Sequence, residues 1–406
     1  MTVALSRRAS DVRVISLISL AHGSSHFFHL ILPPMFPWLK DAFALSYAEL
    51  GLLMSVFFVV SCIVQATSGF LVDRIGARPV LFAGLGLLVL AAFIYFQSNG
   101  YLMLMLGAVI AGCGNGIFHP VDYTLINHKV SPANLPYAYS MHGVTGYLGW
   151  AAAPAFMVGI AQLADWRIAF LSAAVLEVFI LLILWLNKNQ LIDNVKERHE
   201  NTQASNPGGN SESAFAFLKL PAVWLCWVFF FFSMASTSSL QSFSPSALFK
   251  IYELPVNVGN YFLTLLALGS AVGVLLGGYL AAKLQAPEKI VSSCLFLTIV
   301  LCLLLATGLT SVDLIPVIFF VLGFGYGVVA PSRDLLVKQA TPKGVAGRVY
   351  GIVYSGIDLG AAVGPFIFGF LMDAGLPKAL FLGIALFQLM IIPTVFKVSA
   401  NTQSTA

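Results

Sequence analysis

Twelve long apolar runs recur along this 406-residue chain, near residues 12–36, 46–71, 78–97, 101–127, 135–161, 166–187, 220–249, 258–283, 289–308, 313–337, 345–372 and 377–397. A helix needs about 20 residues to cross roughly 30 Å of hydrocarbon, and each run supplies them. Hydrocarbon offers no water to unpaired N–H and C=O groups, so such runs must close their hydrogen bonds internally, as helices. A membrane barrel would show alternating strands of about ten residues instead. Composition agrees: 59% of residues are hydrophobic and only 9% charged, with a mean hydropathy of +0.89. Soluble domains carry about 25% charged residues. The expected fold class is therefore all-α integral membrane, with twelve transmembrane helices.

The Arg7–Arg8 pair ahead of the first run resembles an export signal, but the run continues past residue 30 without a small-residue cleavage site, so it reads as a first membrane helix. The longest polar interval, 188–218, divides the spans six and six. Rich in Asn, Ser, Gly and charge, it has little apolar surface to bury and reads as a cytoplasmic linker loop with room for a short surface helix. The expected blocks are an N-terminal six-helix bundle over 1–187, the linker over 188–218 and a C-terminal bundle over 219–406. With both termini in the cytoplasm, 17 of the 21 Lys and Arg residues fall on the cytoplasmic side; only Lys40, Arg167, Lys250 and Lys378 fall on the other. That bias predicts the topology. The formal charge of +4 is too small to argue for a nucleic-acid partner, and all five cysteines (Cys62, Cys113, Cys226, Cys294, Cys302) sit in apolar runs as small buried residues, not as a disulfide framework.

The halves repeat one another. At an offset of 211 residues, GCGNGIFHPVDYTLI (112–126) lies over GFGYGVVAPSRDLLV (323–337), matching Gly112 with Gly323, Gly114 with Gly325, Gly116 with Gly327 and Pro120 with Pro331; Gly149 and Pro154 meet Gly360 and Pro365 one helix later. A duplicated set of helices is the plan of a secondary transporter.

The charged stretch GFLVDRIGARPV (69–80), between the second and third runs, resembles the loop signature of the major facilitator superfamily, Gly-x-x-x-Asp-Arg-x-Gly-x-Arg. Gly69, Asp73, Arg74, Gly76 and Arg78 match it, while Ala77 stands where a basic residue is common. The resemblance implies two pseudo-symmetric six-helix bundles and a gating loop. In that loop Asp73 would face the N-terminus of the eleventh helix, Gly69 would allow close helix approach, Gly76 would permit the turn, and the arginines would hold to the interface. The second half keeps Gly278 and Lys283 but not the aspartate, so the latch is one-sided. The stretches SLISLAHGSSHFFHLILPPMFPWLKDAFALSYAELGLL, GNGIFHPVDYTLI and PSRDLLVKQATP further resemble a bacterial branch near the fosmidomycin-resistance exporters. The Gly-rich fifth and eleventh helices, GVTGYLGWAAAP and GIDLGAAVGPFIFG, resemble the antiporter motif of the superfamily, with Ala153 in place of the Gly before Pro154; plain helix packing explains the same glycines.

Function then rests on polar groups at membrane depth, where each ionisable side chain costs about 3 kcal/mol or more. The first helix carries His22, His26 and His29 on one face, the fourth His119 and Asp122 with Tyr123 adjacent, the fifth His142, the tenth Arg333 and Asp334, the eleventh Asp358. The resemblance implies that the first, fourth, seventh and tenth helices line a central cavity. His26, His119, Asp122, Tyr123, His142, Arg333 and Asp358 are the candidate substrate and proton-coupling residues; His22 and His29 also suit structural hydrogen bonds. Asp122 and Arg333 occupy matching positions, so either a cross-half salt bridge that breaks during transport or a permanent pair is open. Glu177 lies on the sixth helix, peripheral in the fold that the resemblance implies, and is set aside.

The function expected is proton-coupled efflux of a small organic anion by alternating access. Uptake by symport and divalent-metal transport on the first-helix histidines are the alternatives. No cofactor or resident metal is expected, and the partners are a small-molecule substrate, protons and membrane lipid, with the protein a monomer. A His119-x-x-Asp122 acyltransferase centre lacks the usual spacing, and no Gly-x-x-x-x-Gly-Lys loop supports ATP hydrolysis, so no enzyme is expected.

Overall fold

The computed structural model describes residues 2–192, 219–284, 286–340 and 346–403. In order come α1 (Thr2–His29), a short α2 (Phe36–Phe43), α3 (Tyr47–Ile75), α4 (Ala77–Phe96), α5 (Tyr101–Asn115), α6 (Phe118–Lys129), α7 (Leu135–Leu163) and α8 (Trp166–Leu186). The second half holds α9 (Pro221–Tyr252), α10 (Val256–Leu284), α11 (Pro287–Thr307), α12 (Ile315–Ala340), α13 (Ala346–Asp373) and α14 (Lys378–Gln403). Twelve helical spans among the described residues are long and apolar enough to cross a membrane, as expected from the sequence.

Chain breaks fall where the residue types force them. Gly76, with φ 93°, makes the turn between α3 and α4 that a side chain would strain. Asp165 caps α8 by accepting from the Ile168 N–H at 2.8 Å, satisfying one of the donors a helix start leaves open. The fourth span is not one helix: α5 stops at Asn115 and α6 starts at Phe118. Pro120 has no N–H to return to the Gly116 carbonyl, and the Ser68 hydroxyl donates to that carbonyl at 3.2 Å.

By packing, the chain divides into two compact units. Unit 1 joins Met1–Ile31 to Val59–Gly209, and unit 2 joins Leu32–Phe58 to Asn210–Ala406. Residues 32–58 group with unit 2. The reason lies in unit 2 itself. Asp373, at the end of α13, accepts from the Tyr47 and Ala48 N–H groups, both at 2.8 Å, and so caps α3. The Ser55 hydroxyl donates to the Ala362 carbonyl at 2.6 Å, Gly51 lies against the Pro365 backbone, and the Lys40 and Lys250 ammoniums sit 4.4 and 4.7 Å from the Tyr47 ring centre.

Glycines set the helix spacing in both units. In unit 1, Gly149 of α7 meets the Gly23 backbone of α1; in unit 2, Gly356, Gly360 and Gly364 of α13 meet the α9 backbone at Trp227, Phe231 and Ala235. Any Cβ there would displace backbone, so packing accounts for the Gly-rich stretches. Among the described residues nothing lies within 4 Å of where a Cβ on Gly69 would stand. The expected linker lies outside the described residues from 193 to 218, after a short 3-10 turn at Lys188–Leu191. The Asp73 side chain and residues 341–345 also lie outside them, and with them the expected latch.

Candidate functional site

The candidate residues of unit 1 gather around Asp122. This carboxylate is fully buried on α6, and its Oδ2 lies 3.1 Å from His22 Nδ1 on α1 and 3.1 Å from His142 Nε2 on α7. A carboxylate oxygen accepts, so each ring donates from that nitrogen. The two imidazoles stack on one another, ring centres 3.4 Å apart and 23° from parallel. Asp122 Oδ1 is buried with no hydrogen-bond partner among the described residues.

Two further histidines border this core. His26 is one turn beyond His22, with ring centres 4.5 Å apart, and its other face meets Trp150 of α7 at 4.7 Å. His119 lies 5.5 Å from His22, and its Nδ1 is 2.9 Å from the Gln65 Oε1 of α3. An amide oxygen can only accept, so His119 donates from Nδ1. Tyr123 closes the group, 6.1 Å from His119 and 5.3 Å from His142.

His29 behaves differently. The Trp150 indole N–H donates to His29 Nδ1 at 3.2 Å, which leaves Nε2 to carry the proton and donate to Asn115 Oδ1 at 2.9 Å. Asn115 in turn donates to the Ser61 hydroxyl at 2.8 Å. Both ring nitrogens of His29 are thus engaged, and His22, hydrogen-bonded to Asp122 of a neighbouring helix, lies at the hub of the cluster. Gln65, Asn115, Ser61 and Trp150 escaped notice in the sequence. Their signal was faint: single polar groups inside apolar runs, with nothing to show which helix they face.

The close fit depends on Gly146. A Cβ at this α7 position would stand 2.9 Å from the His26 ring and 3.2 Å from His22 Nε2. The α5–α6 break likewise turns Asn115 toward His29 while α6 brings His119 and Asp122 to α1 and α7.

Unit 2 holds the remaining candidates. Arg333 donates from Nε to Asp334 Oδ1 at 3.0 Å and lies over the Phe230 ring, 4.5 Å from its centre. Asp358 is buried on α13. Within unit 1 Asp122 is paired with two imidazoles, and within unit 2 Arg333 is paired with Asp334. In the signature loop Arg74 is exposed and Arg78 half-buried. Glu177, set aside as peripheral, is fully buried on α8.

Comparison with known proteins fits this architecture. The family model of the Major Facilitator Superfamily matches residues 18–365 and 261–403. A multidrug resistance protein, MdtG, of Rahnella sp. (strain Y9602) is 25% identical over 78% of this chain and 75% of its own length. The fosmidomycin resistance protein of Escherichia coli (strain K12) is 22% identical over 86% of this chain and 85% of its own length. Among solved structures, a bacterial homolog of the human lysosomal transporter Spinster, inward-facing and occupied, superposes with a TM-score of 0.76 at 15% identity, covering 96% of this chain and 97% of that one. With twelve membrane-length helices, the internal repeat and the loop signature, these matches make the chain a multi-pass member of the Major Facilitator Superfamily, a family of transporters and not of enzymes.

Proposed function

We propose that this protein is a proton-coupled exporter of a small organic anion, with the Asp122 cluster of unit 1 as its proton-exchanging group. The observation that carries the reading is Asp122 itself, a fully buried carboxylate at membrane depth held by two imidazoles at 3.1 Å. An ionisable group in that position is costly to keep and therefore points to function. A carboxylate that accepts from two imidazole N–H groups can exchange a proton with them without bulk water between. His26, His119 and Tyr123 extend the polar path from this core, and Asp358 of unit 2 is a second buried carboxylate that can load a proton.

The anionic substrate class is supported by the imidazoles clustered around Asp122 and by Arg333, whose planar fork suits a carboxylate or phosphate. Efflux is supported by the relatives named for resistance. The two halves would alternate access about a central site, with the signature loop (Gly69, Asp73, Arg74, Gly76, Arg78) as a cytoplasmic gate. The basic-residue bias supports both termini in the cytoplasm, and the protein would act as a monomer in the bacterial inner membrane.

The test is reconstitution in proteoliposomes holding a pH-sensitive dye, with an imposed pH gradient and a panel of organic acids. Wild type should show substrate-dependent proton flux, and Asp122→Asn and Arg333→Ala should lose it. Wild-type rates in both variants under the gradient would refute the assignment of those residues. Proton and substrate moving in the same sense would replace export by uptake.

A further inference from the structure

We propose that unit 1 binds a divalent transition-metal ion of the zinc class, held by His22, Asp122 and His142. Each ligand comes from a different helix, α1, α6 and α7, and the ligating atoms all lie within 4.8 Å of one another. His22 Nδ1 and His142 Nε2 are each 3.1 Å from Asp122 Oδ2. A tetrahedral ion with bonds of about 2.0 Å sets neighbouring ligand atoms roughly 3.3 Å apart. The spacing that serves a hydrogen bond here is therefore nearly the edge of a zinc coordination sphere, and little movement separates the two.

Ligand chemistry selects the ion. Two imidazoles and one carboxylate suit zinc, cobalt or nickel; magnesium and calcium prefer all-oxygen cages, and no thiolate is present among these ligands to favour copper(I). The three-ligand set leaves a further position for water or for a nearby side chain. That neighbour is at hand: His22 also forms a second group with His26 and His119, whose ligating atoms again lie within 4.8 Å. The site also has unspent polar capacity. Asp122 Oδ1 and His26 Nδ1 are buried with no hydrogen-bond partner among the described residues. Buried polar atoms are ordinarily satisfied, and an ion with its bound water would satisfy both. Gln65 holds the His119 ring from behind, as outer-shell groups hold metal-binding imidazoles.

The geometry also rejects the simpler arrangement in which the three first-helix histidines bind the ion together. His29 has both nitrogens engaged by Trp150 and Asn115, so the site spans three helices instead.

The full chain, purified in detergent and stripped of metal, should be titrated with cobalt(II) followed by visible absorption, and with zinc by calorimetry. Wild type should take up one ion per chain with the intense bands of a low-coordinate cobalt site, and zinc should displace it. Asp122→Asn, His22→Gln and His142→Gln should each weaken binding by about 100-fold or more, beyond the loss usual for outer-shell partners. His29→Gln should keep wild-type affinity. Monodisperse elution and an unchanged metal-free melting curve would show that the variants fold. Wild-type protein without saturable cobalt uptake, or undiminished binding in the Asp122 and His142 variants, would overturn the proposal. No pH gradient is involved, so this site can stand if proton coupling fails, and fail if proton coupling stands.

Discussion

Residues 112–126 and 323–337 share three glycines and a proline at the same offset, yet they fold differently and carry different chemistry. The first breaks into α5 and α6; the second runs unbroken as α12 through Pro331. In the first, Ser68 donates to the carbonyl that Pro120 leaves open; the matching position in the second half is Tyr279. His119 and Asp122 correspond to Ala330 and Arg333, and His142 to Val353. On the first helix of each half, His22, His26 and His29 correspond to Ser233, Thr237 and Leu240. The glycine contacts that fix helix spacing survive in both units, but among the described residues the imidazole–carboxylate cluster is in unit 1. Packing was duplicated and kept, while the reactive groups diverged.

That contrast can be broken most sharply at its centre. Asp122→Asn should lower gradient-driven flux by about 100-fold, within the range for removing a positioned proton-transfer group, while the reciprocal change in unit 2, Arg333→Lys, should cost far less of the proton-driven step. Equal losses in the vesicle assay would show that the halves share the chemistry. Next in size is the shared packing: Gly149→Val in unit 1 and Gly360→Val in unit 2 should each destabilise by about 1–3 kcal/mol, read as earlier thermal unfolding. A large effect in only one would mean that the duplicated contacts are not equivalent. Removing the Asp373 cap of α3 with Asp373→Ala should cost about 1 kcal/mol and increase amide exchange at Tyr47 and Ala48. The smallest effect belongs to Gly69→Ala, whose new methyl meets nothing within 4 Å among the described residues. Its melting temperature should equal wild type or rise slightly, since alanine is the better helix former.

The spans were legible because each depends only on its own residues: an apolar run of that length has one stable form in hydrocarbon. The helix break in the fourth span was hidden, because it depends on a serine 48 residues earlier in sequence. The site was half legible. The spacing of His22 and His26, and of His119 and Asp122, placed each pair on one helix face, but nothing local joined His22 to Asp122, which are 100 positions apart. Nor could the sequence separate His29 from its two neighbours, since Trp150 and Asn115, which engage its two ring nitrogens, lie on other helices.

By itself the sequence determined the number of membrane helices, the internal repeat and the superfamily, since apolar length and turn chemistry are properties of short segments. Tertiary structure alone decided that three helices deliver their imidazoles and carboxylate to one point, and that residues 32–58 pack with the second half. The physical reason is that these arrangements are set by how closely glycines let separate helices approach, and the energy of a contact between distant segments is written in neither segment alone.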